Sequence, residues 1–263
     1  MELFKKKEKV EKTYIFPDSM LYSEYDMKMA EKTFLFILGF IVGVGIGLVF
    51  YGLIPVAIIA GVIVGYFIIP MRKKQIIDKQ IKTLKTQFKD MLESVSTSIG
   101  AGRNIFDSFT HAHSDLQEQY SPDAYIVKET ANILSGIHNN MNIEDLLMDM
   151  ADRSGIDDIK TFSDVFQTCY RKGGDIKEVI ASTYKIINDK MEIDMEIQTM
   201  ITSAKAELNM MCAMPIVFVF ILNSLGGNIT GRGTMSGYVA TTVAIGIFIA
   251  AYFVGRKIMA IRM

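Results

Sequence analysis

Two blocks of the 263-residue chain are almost free of charge, and they restrict its fold more than any other feature. Phe34–Pro70 contains no Asp, Glu, Lys, Arg or His, and Leu208–Gly255 has Arg232 as its only charged side chain. Wound as a single helix, the first block would reach about 55 Å, nearly twice the hydrocarbon thickness of a bilayer. Gly52 and Pro55 stand at its centre, where a tight turn divides it into two spans of about 18 residues, with Tyr51 as an interfacial anchor. The second block divides at Gly226-Gly227-Asn228, which opens a flexible loop running to Gly237. Its two spans are Leu208–Leu225, with a mild kink expected at Pro215, and Gly237–Gly255, with Tyr238 and Tyr252 near the interfaces.

Glycines recur every four residues in the first pair of spans, at Gly39, Gly43 and Gly47 and again at Gly61 and Gly65. Such stripes let two backbones approach closely, so these faces are expected to pack on each other or on the span of a partner. The Gly39/Gly43/Gly47 stripe is the candidate for association with a second subunit. The flanking charges orient the spans. Lys28 and Lys32 precede the first, Arg72-Lys73-Lys74 follow the second, and Arg256, Lys257 and Arg262 follow the fourth. Positive clusters mark the cytoplasmic side, so four crossings with both termini and residues 71–207 inside form one consistent solution. Residues 1–32 open with Lys5-Lys6-Lys7 and lack the apolar core and cleavage site of a signal peptide. Leu21, Tyr22, Tyr25 and Met29 fall at helical spacing there, which predicts a helix lying on the membrane surface.

Residues 71–207 read as six helices. From Gln75 to Ile99 the apolar residues Ile77, Ile81, Leu84, Phe88, Met91, Leu92, Val95 and Ile99 keep a helical period. Gly100-Ala101-Gly102 ends that helix. A phrase then recurs three times, at Asn104-Ile105-Phe106-Asp107, Asn142-Ile143-Glu144-Asp145 and Asp175-Ile176-Lys177-Glu178. Each places Asn or Asp where a side-chain oxygen caps the first turn of a helix, and a carboxylate three residues later suits the positive helix end. Each follows a break, the third being Gly173-Gly174. Pro122 is expected at the first position of another helix, and Ser154-Gly155 closes the one before Ile156–Arg171. The helix that starts at Asp175 meets no breaker before Pro215, so it is expected to run straight into the third span.

Little in this pattern points to bond-making chemistry. There is no phosphate-binding G-x-x-x-x-G-K-[ST], no H-E-x-x-H and no G-x-S-x-G. His111 and His113 are two apart and point in different directions on a helix, and His138 lies in a predicted turn, so no metal is expected. Asp149, Asp152, Asp157 and Asp158 surround a helix break without the order of a calcium loop and read as a solvated face. Cys169 and Cys212 read as separate buried thiols. The spans carry no charged side chain, which counts against a pump or transporter. A net charge of −1 argues against nucleic acid as partner. No cofactor and no enzymatic activity are expected.

The helix ending Ser98-Ile99-Gly100-Ala101-Gly102, the Gly173-Gly174-Asp175-Ile176 turn and the direct run into a Pro-containing span resemble the type II secretion system F-domain family. The single domain between span pairs, with the ending Gly255-Arg256-Lys257-Ile258-Met259-Ala260-Ile261-Arg262, is most similar to the B-type inner-membrane platform proteins of the tight-adherence (Tad) type IV pilus. That resemblance implies an all-α membrane protein with four transmembrane helices and a cytoplasmic six-helix antiparallel bundle. Its expected organisation is an N-terminal segment 1–32, a hairpin 33–70, a bundle 71–207 and a hairpin 208–263. It further implies a non-enzymatic platform in the inner membrane, coupling a hexameric secretion ATPase to pilin subunits beside a second F-domain platform protein, as a homo- or hetero-oligomer in contact with membrane lipid. The candidate partner-binding residues are Gly100, Gly102 and Arg103 in one turn and Arg171, Lys172, Gly173, Gly174 and Asp175 in the other. A membrane-anchored signalling or scaffold protein is the competing reading, but the outer loops are too short to hold a ligand-binding region.

Overall fold

A computed structural model describes residues 14–16, 20–22, 25–225 and 234–260, the last five of these as backbone only. The described residues form eight helices and no strand: α1 (Met29–Tyr51), α2 (Ile54–Gly100), α3 (Ile105–Gln119), α4 (Tyr125–His138), α5 (Ile143–Ser154), α6 (Asp157–Lys172), α7 (Ile176–Ser224) and α8 (Met235–Ala260). Among them α1, α2, α7 and α8 are each long and apolar enough to cross a membrane. Most of the expected outer loop at 226–236, the side chains of Arg256 and Lys257, and Arg262 lie outside the described residues. The chain separates into two compact units. One is Ile76–Asp189 with the described part of the N-terminal segment up to Tyr25, and the other is Asp26–Gln75 with the chain from Lys190 onward.

In the helical unit, the stripe read along α2 forms the core. Leu84, Phe88, Met91, Leu92 and Val95 are fully buried, whereas Ile77, Ile81 and Ile99 at its ends are half-exposed. Phe88 meets Phe162 of α6 edge-on at 5.5 Å between ring centroids, and Phe166 continues the aromatic row. Each such side chain contributes about 1.5–3 kcal/mol by leaving water. Polar contacts join successive helices: Ser94 with Asp115 for α2 and α3, His113 with Thr130 for α3 and α4, Glu129 with Arg153 for α4 and α5, and Ser163 with the Leu147 carbonyl for α5 and α6.

Two of the three expected caps form in the expected way. Asn104 Oδ1 accepts from the Asp107 amide at 2.8 Å, and Asp175 Oδ1 accepts from the Glu178 amide at 3.1 Å. Asn142 differs. Its own backbone carbonyl takes the Asp145 amide, so its side chain is turned to donate to the Asp145 carboxylate at 3.1 Å. Pro122 is also corrected, because it sits in the turn before α4 and not at its first position. α4 starts at Tyr125, and Gln87 of α2 accepts from the Ile126 amide at 3.2 Å, a cap supplied by tertiary contact that a local motif does not reveal.

Among the described residues the expected surface helix around Leu21–Met29 does not form. Residues 20–22 and 25–28 are not helical, and Tyr22 is buried in the helical unit instead. A Tyr ring with a hydrogen-bonded hydroxyl is well suited to a protein core, and periodicity over three turns does not distinguish the two outcomes. The amphipathic helix predicted from Gln75 is the second half of α2, which begins at Ile54 and continues through Pro70. α7 runs unbroken from Ile176 through Pro215 to Ser224, as expected.

In the other unit, α1 and α2 turn back at Gly52, whose φ of +64° closes α1 through a bond from its amide to the Leu48 carbonyl at 3.1 Å. The glycine stripes face each other. A Cβ on Gly39 would lie 2.9 Å from the Gly65 Cα, one on Gly43 2.7 Å from the Gly61 Cα, and one on Gly47 2.5 Å from the Ala57 Cα. The hairpin's own second helix therefore covers the stripe that was the candidate for a second subunit. Asn223 of α7 donates to the Val49 carbonyl at 3.0 Å, satisfying one of the acceptors left open at the end of α1. Tyr51 stacks on Tyr238 with centroids 6.4 Å apart, and its hydroxyl shares a hydrogen bond with Thr242.

Candidate functional site

The two turns singled out in the sequence close their helices through glycines that need the left-handed region. Gly102 has φ +88° and donates to the Ile99 carbonyl, while the Arg103 amide reaches back to Ser98. Gly173 has φ +74° and, with Gly174, bonds the Cys169 carbonyl, so two amides cover one carbonyl at the end of α6. Gly174 is also close-packed, since a Cβ there would stand 3.2 Å from that of Cys169. Gly100 has no such demand and faces open space.

The register of the helical unit places both turns at one end. α2 and α6 run parallel, because Lys85 pairs with Asp158 at 2.9 Å and Phe88 with Phe162, an offset of about 73 residues. That offset carries Gly100 to the level of Gly173. The Asn139–Asn142 turn joins them there, since Arg171 reaches Glu144 and Asp145 at the start of α5, each at 3.4 Å. Gly100, Gly102, Arg103, Arg171, Lys172, Gly173, Gly174 and Asp175 are all exposed. The result is a polar surface of mixed charge in which Arg171 is held by two carboxylates and Arg103 and Lys172 stand on the turns themselves. It can take part in charge-complementary docking. Among the described residues no three His, Cys, Asp or Glu side chains are placed to hold a metal ion. Cys169 and Cys212 are free and half-buried.

One polar centre was not found from the sequence. Asp149, expected on a solvated face, is buried: its Oδ2 accepts from Arg153 Nε at 2.7 Å. Arg153 is 1% exposed and also grips both oxygens of Glu129, at 2.6 Å each. Tyr22 donates its hydroxyl to Glu129 at 2.8 Å and its ring meets Tyr125 edge-on, while the Ile15 amide donates to Asp149 Oδ1 at 2.7 Å. Burial works to lower the Arg153 pKa, but the hydrogen bonds and charges of Glu129 and Asp149 outweigh it and raise the value. Burial, then the Glu129 charge and hydrogen bond, raise that of Tyr22. The signal available in the sequence was Glu129 between Ile126 and Ile133 on the apolar face of α4, with Asp149 and Arg153 one turn apart on α5. Elsewhere Asp158 pairs with Lys85, and Asp157 is exposed as expected.

In the unit that holds the four candidate spans, α1, α2, α7 and α8 leave an apolar groove of about 910 Å³, with Phe50, Val64, Pro215, Ala240, Ala244 and Phe248 among its walls.

No curated protein and no solved structure matches the chain. The family model described as type II secretion system (T2SS), protein F, matches residues 91–223, half of the sequence, from within α2 to near the end of α7. All of α3 to α6, both glycine turns and the Glu129–Asp149–Arg153 cluster lie inside that match. Members of the family are structural membrane proteins and not enzymes. A chain with eight helices and no strand among its described residues, four candidate spans, a polar helical unit and this match over half its length belongs to the type II secretion system protein F family.

Proposed function

We propose that the chain is an inner-membrane platform protein of a Tad-like type IV pilus or type II secretion assembly machine, coupling a cytoplasmic hexameric ATPase to the insertion of pilin subunits. The observation that carries this reading is the convergence of the Gly100–Arg103 and Arg171–Asp175 turns at one exposed end of the helical unit, within the residues matched by the family. In this reading that end meets the ATPase. The lysines and arginines at Lys28, Lys32 and Arg72-Lys73-Lys74 support a cytoplasmic location for residues 71–207 and for both termini. The apolar groove between the spans suits an apolar helix, such as the membrane segment of a pilin subunit or of a second F-domain platform protein.

Arg103→Glu and Lys172→Glu test the docking surface. Both are exposed, and among the described residues neither has an ion pair with a carboxylate as Arg171 has. Charge reversal is expected to lower co-purification of the ATPase and filament assembly while leaving the amount of platform protein in the membrane unchanged. Normal ATPase capture and normal filaments in the double variant would remove the surface from the proposal. Cysteine labelling at Asn139 in intact cells tests the topology. Reaction with a membrane-impermeant reagent there would overturn it.

A further inference from the structure

α1 and α2 approach through their backbones in a constant register, Gly39 against Gly65, Gly43 against Gly61 and Gly47 against Ala57. Each step of four residues toward the start of α1 is matched by four residues forward along α2, so the two helices are antiparallel there. Seven residues before Gly39 stands Lys32, and seven after Gly65 stands Arg72. Seven residues are two turns, which return a side chain to within about 20° of the same face and about 10 Å farther along the axis. The register that sets glycine against glycine therefore brings one cation level with another. Lys28 lies one turn before Lys32, and Lys73 and Lys74 follow Arg72; all five are exposed. Among the described residues none of the five is in an ion pair, and the Arg72 guanidinium donates to the Gln75 side chain at 3.2 Å.

Like charges held at matching positions of two packed helices repel, and an anion seated between them relieves the repulsion. Asp26–Gln75 carries these five cations and two carboxylates, Asp26 and Glu31, all at this one end of the hairpin, an excess of three positive charges. On the span side of the cations the rings of Phe34 and Phe67 are 65% and 69% exposed. We propose that Lys28, Lys32, Arg72, Lys73 and Lys74 form a collar that binds the phosphate headgroup of an anionic phospholipid, which bridges α1 and α2. A lipid fits better than free phosphate, because the cations adjoin apolar surface on which its chains can lie. The proposal rests on α1 and α2 crossing a bilayer. It is independent of which protein meets the glycine turns.

Phosphatidylglycerol titrated into the full chain in neutral detergent, followed by native mass spectrometry, tests the site. Lys32→Gln with Arg72→Gln is expected to weaken binding about thirtyfold. Lys160→Gln with Lys177→Gln removes the same charge from exposed positions of the helical unit and should change binding about twofold or less. A second measurement separates bridging from general attraction. It is the thermal midpoint for separation of the hairpin, read by energy transfer between labels at exposed Ile37 and Ile63, with Cys169 and Cys212 replaced by Ser. In neutral detergent the Lys32→Gln, Arg72→Gln chain should have the higher midpoint, because the repulsion is gone. Phosphatidylglycerol should raise the wild-type midpoint and leave that of the variant unmoved. Equal loss of binding in the two double variants, a wild-type midpoint that the lipid does not move, or a wild-type midpoint at or above the variant's without lipid would each overturn the proposal. An equal rise with inorganic phosphate would overturn the lipid as occupant. Failure of the chain to enter phosphatidylcholine nanodiscs would overturn the membrane spans and the site together, whereas entry without any response to phosphatidylglycerol overturns the site alone.

Discussion

Gly43→Ala adds one carbon at a point where α1 and α2 approach closely through their backbones. The new Cβ would stand 2.7 Å from the Gly61 Cα and 2.8 Å from the Ala60 carbonyl oxygen. Ordinary carbon–carbon contacts sit at about 3.5–4.0 Å, so the helices must part by about 1 Å, and neither neighbour is a side chain that can rotate away. Overpacking of this kind costs about 1–3 kcal/mol, or about five- to 150-fold in the equilibrium for opening the hairpin. Gly45, two residues along the same helix, is the internal control, because a Cβ there meets nothing within 4 Å. Gly45→Ala should be neutral or stabilising by up to about 1 kcal/mol, since alanine is the better helix former. Both variants can be titrated with SDS in mixed micelles. Separation of the hairpin is followed by energy transfer between labels at exposed Phe34 and Met71, in a background with Cys169 and Cys212 replaced by Ser. The expected order of midpoints is Gly43→Ala below wild type and Gly45→Ala at or above it. Equal midpoints for the two variants would refute the argument from close backbone approach.

Arg153→Met should destabilise the helical unit by about 3–5 kcal/mol, because it leaves Glu129 and Asp149 buried without a counter-charge; replacing all three together by apolar residues of similar size should recover most of that loss in denaturant titrations. Asn104→Ala should cost about 0.5–2 kcal/mol and Asn142→Ala distinctly less, since only the first side chain caps a backbone amide, and the comparison of their unfolding midpoints is direct. His113 supplies a pH dependence. The Thr130 hydroxyl donates to the Ile126 carbonyl, so His113 Nδ1 is the donor to Thr130, and burial depresses the imidazole pKa below its ordinary value. The unfolded chain therefore binds the proton more readily. The stability associated with neutral His113 is intact above pH of about 6.5 and is lost as pH falls through the lower folded value, a trend that His113→Gln should abolish in stability measured from pH 5 to 7.5.

The sequence by itself determined the apolar spans, the turn at Gly52, the core stripe of α2 and the glycine ends at Gly102 and Gly173. Each of these depends on properties carried along the chain: length of apolar run, helical period, or a backbone conformation that only glycine adopts cheaply. Even the outward turns of the candidate site were legible as turns, because a helix must stop somewhere and its stopping residues are few. Their meeting at one end was not, since it rests on the parallel register of α2 and α6 set by Lys85–Asp158 and Phe88–Phe162. Tertiary structure alone decided where the polar groups found partners. Gln87 starts α4 from another helix, Asn223 closes α1 from another span, and Tyr22 enters a core that its own segment could not form. It also turned an acidic group read as solvated into a buried pair of carboxylates around Arg153. The physical reason is common to these cases: a buried hydrogen bond to a charged or backbone group takes whichever donor the fold brings within about 3 Å, and distance along the chain carries no record of it.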